Sequence, residues 1–391
     1  MSPDIESKFI VGVLAAFLNN KPPPVVPGGL DWRWLRCIAG QNMTGPLLWH
    51  VLGAESVPAE VGVEWKESVI GLELFHERAT KAALGLFTIF EEAGIAAVVL
   101  RGMALSHTVY RHMRVRPMVD VDVLISPEDR DLTQRALRQQ GLEVKAILRS
   151  QLVYVVDGVV FEVHWSFMTP KRFRRAVDVS SWLGTRRPIR LSGGTLYSLS
   201  LENELLELAL HSFVHHEIGT LLQLVDIGML ARTPELDWDY IKAWCAKSSV
   251  SRLTFFTIKL VDRLFDLGLS PRLARLGIED PAWDERFFAA HVARLCGSDS
   301  RQHTITRKAQ LLQVAESPGA FLRQAIRFVS LDQVRHLVQR PNVAYVTLMK
   351  RHSRSVGASV EWRRGFRRSD ETSFCRPAPS DRQISSYHEY P

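Results

Sequence analysis

Two aspartates alternate with aliphatic residues between Val119 and Ile125, and this alternation constrains the fold more than any other feature of the chain. Strand side chains point to opposite faces with a period of two, so Asp120 and Asp122 share one face and the aliphatic residues take the other. The pattern predicts a buried strand that carries a pair of carboxylates. Two like charges so close disfavour ionisation, so the pair persists mainly where a cation neutralises it. Hard divalent cations, Mg²⁺ or Mn²⁺, fit oxygen ligands best.

The segment before the aspartates predicts a phosphate-binding turn. Residues 95–100 are apolar and typical of a buried strand, and they lead into Arg101 and Gly102, after which residues 103–112 can form a helix. Glycine lets the backbone approach a ligand closely, and free N–H groups at a helix N-terminus attract anions. Strand, glycine and helix start, in this order, therefore indicate a site for phosphate groups.

The segment after the aspartates predicts a hairpin that brings in a third carboxylate. Two apolar runs within residues 151–167 meet at Asp157-Gly158, which is a strong hairpin signal. The second run carries Glu162 and His164 on one face, opposite apolar residues. We therefore expect a further carboxylate on a strand near the aspartate pair.

These segments together resemble the uncharacterised nucleotidyltransferase family of the DNA polymerase β-like superfamily. The resemblance is carried by Leu100-Arg101-Gly102-Met103-Ala104-Leu105, by Tyr110, by Arg116-Pro117-Met118-Val119-Asp120-Val121-Asp122, and by Phe161-Glu162-Val163-His164-Trp165. A later helical stretch with His211, His215, Asp226 and Asp237-Trp238 is similar too. The similarity spans roughly residues 8 to 300.

The resemblance implies a two-metal mechanism. In the superfamily, the first two acids bind the metals that hold the nucleoside triphosphate, and the third acid joins the metal that activates the acceptor hydroxyl. Carried over to this sequence, Asp120 and Asp122 are metal ligands, Glu162 is the third ligand and a candidate base, and Gly102 seats the triphosphate. Two metals stabilise the attacking and leaving oxygens of an in-line displacement, which explains the need for three convergent carboxylates.

The nucleotide-binding candidates include one departure from the superfamily. Met103 stands where many members carry serine, whose hydroxyl contacts phosphate. The backbone amides, Arg101 or Ser106 are the candidates to supply that contact, and whether Met103 impairs catalysis stays open. Arg116 is a candidate either to neutralise phosphate charge or to form a helix-to-strand salt bridge.

Each acidic or histidine candidate also has a structural interpretation. The two aspartates can cap turns or bind arginines at a strand end, and Glu162 can pair with Arg114 or Arg116. His164 can assist acceptor deprotonation, orient the Glu162 carboxylate, or be a structural histidine near the sheet edge. Strand patterning on both sides favours the metal-binding interpretation for Asp120 and Asp122.

The later histidines favour a structural role. His211 and His215 are four residues apart on one helix face, but no neighbouring cysteine or His-Glu-x-x-His motif supports a zinc site. Asp226 interrupts an apolar run, and a buried carboxylate needs a partner. We expect a structural tie between Asp226 and one of these histidines, with contact to nucleotide or acceptor as the alternative.

Apolar periodicity and turn residues divide the chain into four regions of an α+β protein. We expect an N-terminal helical region (1–94), a nucleotidyltransferase-like core with a small mixed sheet (95–198), an all-helical domain (199–350) and a basic, disordered tail (351–391). Ser200 is a suitable N-cap for the first helix of the third region. Helices are expected at 4–19, 31–53, 67–93, 103–112 and 127–140, and strands at 95–100, 119–125, 142–148, 151–156 and 159–167.

The formal net charge of +7 does not indicate a nucleic-acid partner. Residues 350–368 contain seven Lys or Arg and one Glu, so this stretch alone accounts for +6. A nucleic-acid-binding face would spread Lys and Arg over the folded domain. A solvated basic tail is therefore the favoured interpretation.

The chain is expected to be cytoplasmic and to lack a membrane segment. Its most apolar N-terminal run, residues 9–18, is about half of the ~20 residues that span a bilayer, and its flanks do not match a signal peptide. Cys37, Cys245, Cys296 and Cys375 are widely scattered, which predicts free thiols rather than a disulfide framework or a zinc site.

The leading functional hypothesis is transfer of a nucleoside monophosphate, AMP from ATP in the first place, to a hydroxyl of a small molecule, peptide or protein. Members of the resembled family are often associated with peptide natural-product gene clusters, so the resemblance implies a peptide or a natural-product intermediate as acceptor. Two alternatives stay open. One is a phosphotransferase on the same fold, and the other is a catalytically silent, antitoxin-like binding module.

Overall fold

The computed structural model of the 391-residue chain describes residues 5–110, 115–148, 150–166, 177–214, 218–277 and 295. The helices are α1 (Ile5–Leu18), α2 (Trp32–Gln41), α3 (Gly45–Leu52), α4 (Ala59–Glu92), α5 (Arg101–Thr108), α6 (Arg130–Gln139), α7 (Val179–Gly184), α8 (Leu201–Val214), α9 (Leu221–Ala231), α10 (Trp238–Ser248), α11 (Ser251–Phe265) and α12 (Ser270–Arg275). The strands are β1 (Ala97–Val99), β2 (Val121–Ile125), β3 (Ala146–Ile147), β4 (Gln151–Val156), β5 (Val159–His164), β6 (Arg187–Leu191) and β7 (Gly194–Ser198).

Five strands form one mixed sheet in the order β1-β2-β5-β4-β3. The central pair, β2 and β5, is parallel, and the other pairs are antiparallel. Strands β6 and β7 form a separate two-stranded hairpin. The α+β class with a small mixed sheet is therefore confirmed, whereas α7 and the β6–β7 hairpin were not predicted.

Local chemistry explains where the main elements begin and end. Helix α4 begins after Pro58, at Ala59 rather than at residue 67, and ends before Gly94, whose φ of +70° is the left-handed conformation that suits a helix C-terminus. Strands β4 and β5 join at Asp157 and Gly158, which both have positive φ, as a tight hairpin turn requires.

The two faces of the sheet pack against different parts of the molecule. One face is apolar and packs on α4 through Phe75, Leu86, Phe90, Val121, Val123, Ile125, Phe161 and Val163. On the other face, Val98, Leu100 and Leu124 join a larger core that contains residues of the N-terminal helices and of α8 to α12. Asp122 and Glu162 alternate with the apolar residues of their strands, so they lie on this second face.

The N-terminal helices and helices α8 to α11 share one hydrophobic core. Ile10 and Leu14 of α1 belong to the same buried cluster as Leu205 of α8 and Phe256 of α11. From the sequence we predicted two separate helical regions on either side of the sheet. Periodicity within one helix does not show which distant helix covers its apolar face.

The first helix of the C-terminal region begins where it was expected. The backbone N–H of Asn203 donates to the Ser200 hydroxyl at 3.3 Å, and the N–H of Glu204 donates to the Ser200 carbonyl at 2.9 Å. Ser200 is thus confirmed as a capping residue.

Cys245 is a buried free thiol, but Cys37 is disulfide-bonded, so the prediction of free thiols is wrong for Cys37.

The expected helices from residue 278 to residue 350 and the expected basic tail at 351–391 lie outside the described residues, Leu295 excepted. Within the described part of the chain, no helix combines the length and the apolar character that crossing a membrane demands.

Candidate active site

The parallel pairing of β2 with β5 brings the predicted third carboxylate beside the aspartate strand. Asp122 is the register partner of Glu162, and Leu124 is the register partner of His164. One ligand atom from each of Asp122, Glu162 and His164 lies within 4.8 Å of the others. The shared face of Asp122 and Glu162, expected from strand parity, is confirmed by this register.

Asp120 lies one residue before β2 and is half-buried. It does not belong to the three-residue group of Asp122, Glu162 and His164. Asp120 nevertheless acts on Arg101, as Asp122 and Glu162 do, because all three carboxylates raise the pKa of this arginine. Asp120 therefore lies at the border of the cluster rather than in its centre.

Hydrogen bonds orient the three grouped side chains. The imidazole Nε2 of His164 lies 2.9 Å from Asp122 Oδ1 and 3.7 Å from Glu162 Oε2. The Gln151 amide of β4 donates to Glu162 Oε2 at 2.5 Å. Asp122 and Glu162 are thus held by partners on two strands, with His164 between their carboxylates.

The cation that neutralises Asp122 in this structure is the guanidinium of Arg101, the first residue of α5. Its Nε donates to Asp122 Oδ2 at 3.0 Å, and its Nη2 pairs with Oδ1 of the same carboxylate. Burial alone would raise the pKa of the Asp122 carboxyl, but the charge of Arg101 and the hydrogen bond from His164 outweigh it and lower the pKa to about 2. Asp122 is therefore ionised at neutral pH.

Helix α8 approaches Arg101 from the other side. Nη1 of Arg101 lies 2.7 Å from Nδ1 and 2.6 Å from Nε2 of His211, and 3.8 Å from Glu207 Oε1. Burial raises the pKa of Glu207 to about 7, although Arg101 opposes the shift. The site thus lies between the sheet and α8, with Arg101 in contact with both.

His211 was predicted from the sequence, whereas Glu207 and the neighbouring Glu204 were not. Glu207 stands inside the apolar run Leu205-Leu206-Glu207-Leu208-Ala209-Leu210. A carboxylate that interrupts an apolar run is the pattern that singled out Asp226, and applied here it identifies Glu207 as well. Glu204 is 4% exposed on its side chain and pairs with Arg187 at 3.2 Å.

The glycine that follows Arg101 is required by close packing. A Cβ at Gly102 would lie 2.8 Å from the Met118 Cβ and 2.9 Å from Arg116 Nη1, which is closer than real contacts allow. Residue 102 must therefore be small whether or not a phosphate binds there.

The side chain at the serine position, Met103, and one of the residues proposed to compensate for it, Ser106, are both occupied by the protein itself. The Met103 side chain is fully buried in the core beneath α4, and the Ser106 hydroxyl donates to the Gly102 carbonyl at 2.7 Å within α5. The backbone N–H groups at the start of α5 and the Arg101 side chain are the remaining candidates for a phosphate at this position, and no side chain caps that helix start.

The expected tie between Asp226 and His211 is wrong, because Asp226 binds an arginine and a tyrosine instead. Arg116 Nη2 donates to Asp226 Oδ2 at 2.7 Å, and the Tyr110 hydroxyl donates to Oδ1 at 2.9 Å. His215 lies outside the described residues. For Arg116, the helix-to-strand salt bridge is the observed arrangement.

The group of Asp122, Glu162 and His164 fits a divalent cation by its chemistry. Two carboxylates and one imidazole are ligand types shared by Mn²⁺ and related ions, and Mg²⁺ prefers the carboxylates. Ligand atoms on opposite sides of such an ion are separated by about 4 Å, so the observed spacing needs only a small contraction. The imidazole makes Mn²⁺ at least as suitable as Mg²⁺.

One comparison with known proteins places this site in a family. A model of the family described as uncharacterised nucleotidyltransferase matches residues 28–266, which is more than half of the chain. The matched range contains the whole five-stranded sheet, the three grouped residues and helix α8. No curated protein and no solved structure shows a significant match to the chain.

Proposed function

The chain belongs to the uncharacterised nucleotidyltransferase family, and from this premise we propose that it transfers a nucleoside monophosphate from a nucleoside triphosphate to an acceptor hydroxyl. ATP is the first candidate donor, and a small molecule, a peptide or a protein is the acceptor class. Nucleic acid is not proposed as acceptor, because the excess positive charge lies in residues 350–368 and not in the matched region.

The observation that carries the proposal is the register of β2 and β5. Pairing Asp122 with Glu162 on one sheet face, and adding His164 two residues later, produces a compact acidic group next to the start of α5. A phosphate-transfer site needs negative ligands for a cation and backbone donors for the phosphates in one place. Both are adjacent here because β1 leads directly into α5 beside β2.

Each side chain receives a role from its contacts. We assign Asp122 and Glu162 as metal ligands, and Asp120 as an additional ligand from the border of the cluster. His164 contacts both grouped carboxylates, so it either completes the ligand set or takes the proton of the acceptor hydroxyl. When bound, a divalent metal, Mg²⁺ or Mn²⁺, supplies charge stabilisation for the triphosphate and activation of the hydroxyl.

The triphosphate is assigned to the start of α5. The backbone N–H groups of Gly102 and Met103 are the donors there, and Arg101 supplies the positive charge. Ser106 and Arg116 act indirectly in this assignment, because their polar groups already have protein partners. Arg116 packs against Gly102 and so shapes the turn that would contact phosphate.

A mass measurement tests the reaction directly. The protein is incubated with Mn²⁺ or Mg²⁺, each nucleoside triphosphate and candidate hydroxyl acceptors, and the products are analysed by intact mass. Addition of a nucleoside monophosphate supports the proposal, whereas addition of a single phosphate identifies a phosphotransferase. Release of pyrophosphate distinguishes the two reactions independently.

The variant Asp122→Asn tests the metal role. We expect transfer to fall by at least about 100-fold, because even partners of metal ligands commonly contribute 10- to 100-fold. The control is Asp157→Asn, which makes the same change in an exposed turn of the same sheet, at a position where Asn tolerates the positive φ. Unchanged transfer and metal binding in Asp122→Asn would contradict the assignment.

One observation favours a second function, a catalytically silent binding module. Arg101 already neutralises Asp122, as it would in a site that no longer binds metal. Titration with Mn²⁺ separates the two functions. A silent module predicts no saturable Mn²⁺ binding at Asp122, and the transferase predicts binding that Asp122→Asn removes.

We also propose a cytoplasmic location, where nucleoside triphosphates are supplied. Disulfides are rare in that compartment, so the disulfide of Cys37 offers a test. Thiol labelling in intact cells that finds Cys37 oxidised throughout would argue against this location, and fluorescence of a tagged chain would check it separately.

A further inference from the structure

Arg101 lies between two sets of negative or accepting groups on different elements. On the sheet side it holds both oxygens of Asp122. On the α8 side it contacts His211 and approaches Glu207. A single guanidinium thus has two alternative sets of partners within reach.

Several carboxylates act on Arg101. Asp122, Glu207, Asp120 and Glu162 all raise its pKa, and Asp122 is the one whose two oxygens it holds. A divalent ion at Asp122 and Glu162 would take over the carboxylate that Arg101 now holds. Metal and guanidinium therefore compete for Asp122.

Glu207 offers the competing position. Its Oε1 is buried and has no hydrogen-bond partner, although it lies 3.8 Å from Arg101 Nη1 and 3.9 Å from His211 Nδ1. Buried acceptors without a partner are uncommon in folded proteins. A movement of Arg101 by about 1 Å toward α8 would bring Nη1 into normal hydrogen-bond range.

The backbone at Arg101 indicates that its present position is imposed by contacts. Its φ is +47°, a left-handed conformation that side chains other than glycine rarely adopt. Such a conformation persists only where surrounding interactions hold it, and it is often found in switching segments. Here the interactions that hold it are those with Asp122 and α8.

We propose that Arg101 is an internal counter-ion that holds Asp122 in the metal-free protein, yields this carboxylate to the divalent metal, and moves onto Glu207. Glu207 is then a positioning residue for metal binding, although it is not a ligand itself. The inference rests on the metal site of the proposed function and adds a coupling between that site and α8.

The test measures Mn²⁺ affinity by electron paramagnetic resonance of the free ion, with no substrate present. Arg101→Gln removes the competitor, so we expect Mn²⁺ to bind at least about 10-fold more tightly. Glu207→Gln keeps the size but removes the carboxylate that receives Arg101, so affinity should fall by about 2- to 10-fold. In the double variant, Glu207→Gln should have no effect, because there is no guanidinium left to receive.

A matched control removes one positive charge elsewhere. Arg135 is exposed on α6, and Arg135→Gln should leave Mn²⁺ affinity unchanged. If it tightens binding as much as Arg101→Gln does, net charge rather than local competition is responsible, and the proposal is overturned. Circular dichroism checks that each variant folds.

If Arg101→Gln does not fold, Arg101→Lys takes its place, because lysine keeps the charge but cannot hold both oxygens of Asp122. Tighter Mn²⁺ binding is again expected and unchanged binding would overturn the proposal.

Three further results overturn the inference in different ways. Unchanged or weaker binding in Arg101→Gln, with binding still lost in Asp122→Asn, would refute the competition and leave the proposed function intact. An equal effect of Glu207→Gln in both backgrounds would refute the role of Glu207. Absence of Mn²⁺ binding in the wild type and in Arg101→Gln alike would overturn the inference together with the metal site of the proposed function.

Discussion

Two arginine–aspartate pairs near the central sheet lie in the described part of the chain, and they differ in how many acids act on the arginine. Asp226 is fully buried, and Arg116 and Tyr110 donate to both of its oxygens. Asp122 is 15% exposed on its side chain and shares Arg101 with other acids. The first pair is closed and involves one carboxylate, whereas the second is partly open and involves several.

This difference shows which property marks a functional site. A buried ion pair is weak evidence for function, because proteins also use such pairs to tie elements together. Several carboxylates around one arginine are harder to explain as a structural tie, because a single ion pair needs only one acid. We therefore propose that the Arg101–Asp122 pair belongs to the active site and the Arg116–Asp226 pair to the scaffold.

The largest effect predicted from this comparison is on the stability of the protein when the Arg116–Asp226 pair is broken. Asp226→Asn leaves Arg116 buried without its counter-charge, which should lower the free energy of unfolding by about 3–5 kcal/mol. Urea denaturation followed by circular dichroism measures the loss. Asp122→Asn should be less harmful, because Asp122 is partly exposed and Arg101 keeps other acids nearby.

The corresponding control removes both charges of the scaffold pair. Arg116→Met combined with Asp226→Leu should recover part of the lost stability, since apolar replacements of a buried pair are often tolerated. A larger loss in Asp122→Asn than in Asp226→Asn would reverse the assignment of the two pairs.

The central fold could be predicted from sequence because its elements are defined by local patterns. The alternation around Asp122, the turn at Asp157-Gly158 and the helix end at Gly94 each depend on neighbours within a few residues. The β6–β7 hairpin was missed because Arg187–Leu191 has little apolar character and is bordered by exposed residues. The core shared by α1 and α11 depends on contacts between residues far apart in sequence, which periodicity does not report.

The candidate site was predictable only where it follows strand parity. Parity placed Asp120 with Asp122 on one strand face and Glu162 with His164 on another, and the resemblance implied that the carboxylates share a metal site. Of the expected set, Asp120 lies outside the group of Asp122, Glu162 and His164. The partners of Arg101 and Asp226 were not predictable, because their choice depends on how α5, α8 and α9 are placed over the sheet. The expected tie between Asp226 and His211 failed for this reason.

A smaller effect is predicted at Gly102, which lies between the two pairs. Gly102→Ala adds a Cβ against Met118 and Arg116, and such overpacking should cost about 1–3 kcal/mol of unfolding free energy. Gly85→Ala is the matched control, because it lies inside α4 with open space around its Cβ and should stabilise the protein by about 0.5–1 kcal/mol.

The result at Gly102 also distinguishes packing from phosphate contact. Packing predicts a lower melting temperature in Gly102→Ala without any ligand. Unchanged stability together with lost binding of the triphosphate would instead mean that the glycine is needed for the ligand, and that the turn can yield to a methyl group.

A third pair, Arg187 with Glu204, shows how burial and a neighbouring arginine act in opposite directions on the pKa of a carboxyl group. Arg187 is 36% exposed on its side chain, whereas Glu204 is 4% exposed. Burial raises the pKa of Glu204 to about 8 even though Arg187 opposes the shift. At Asp122 the buried Arg101 and the hydrogen bond from His164 outweigh burial, whereas at Glu204 the charges of Glu207 and Asp226 add to burial.

The smallest predicted effect is the pH dependence that follows from Glu204. Its pKa of about 8 in the folded state exceeds the ordinary value near 4.5, so the folded protein keeps a proton that the unfolded chain loses. The contribution of Glu204 to unfolding free energy is therefore complete below pH ~4.5 and is lost as pH rises toward ~8, by at most about 1.4 kcal/mol per unit.

Glu204→Gln, which stays neutral, should flatten the decline of the unfolding free energy between pH 5.5 and 7.5, as measured by urea denaturation. The change Glu55→Gln at an exposed position should not alter the slope. If the unfolding free energies of Glu204→Gln and wild type change with pH in parallel, Glu204 is ionised in the folded protein, and Arg187 neutralises it as Arg101 neutralises Asp122.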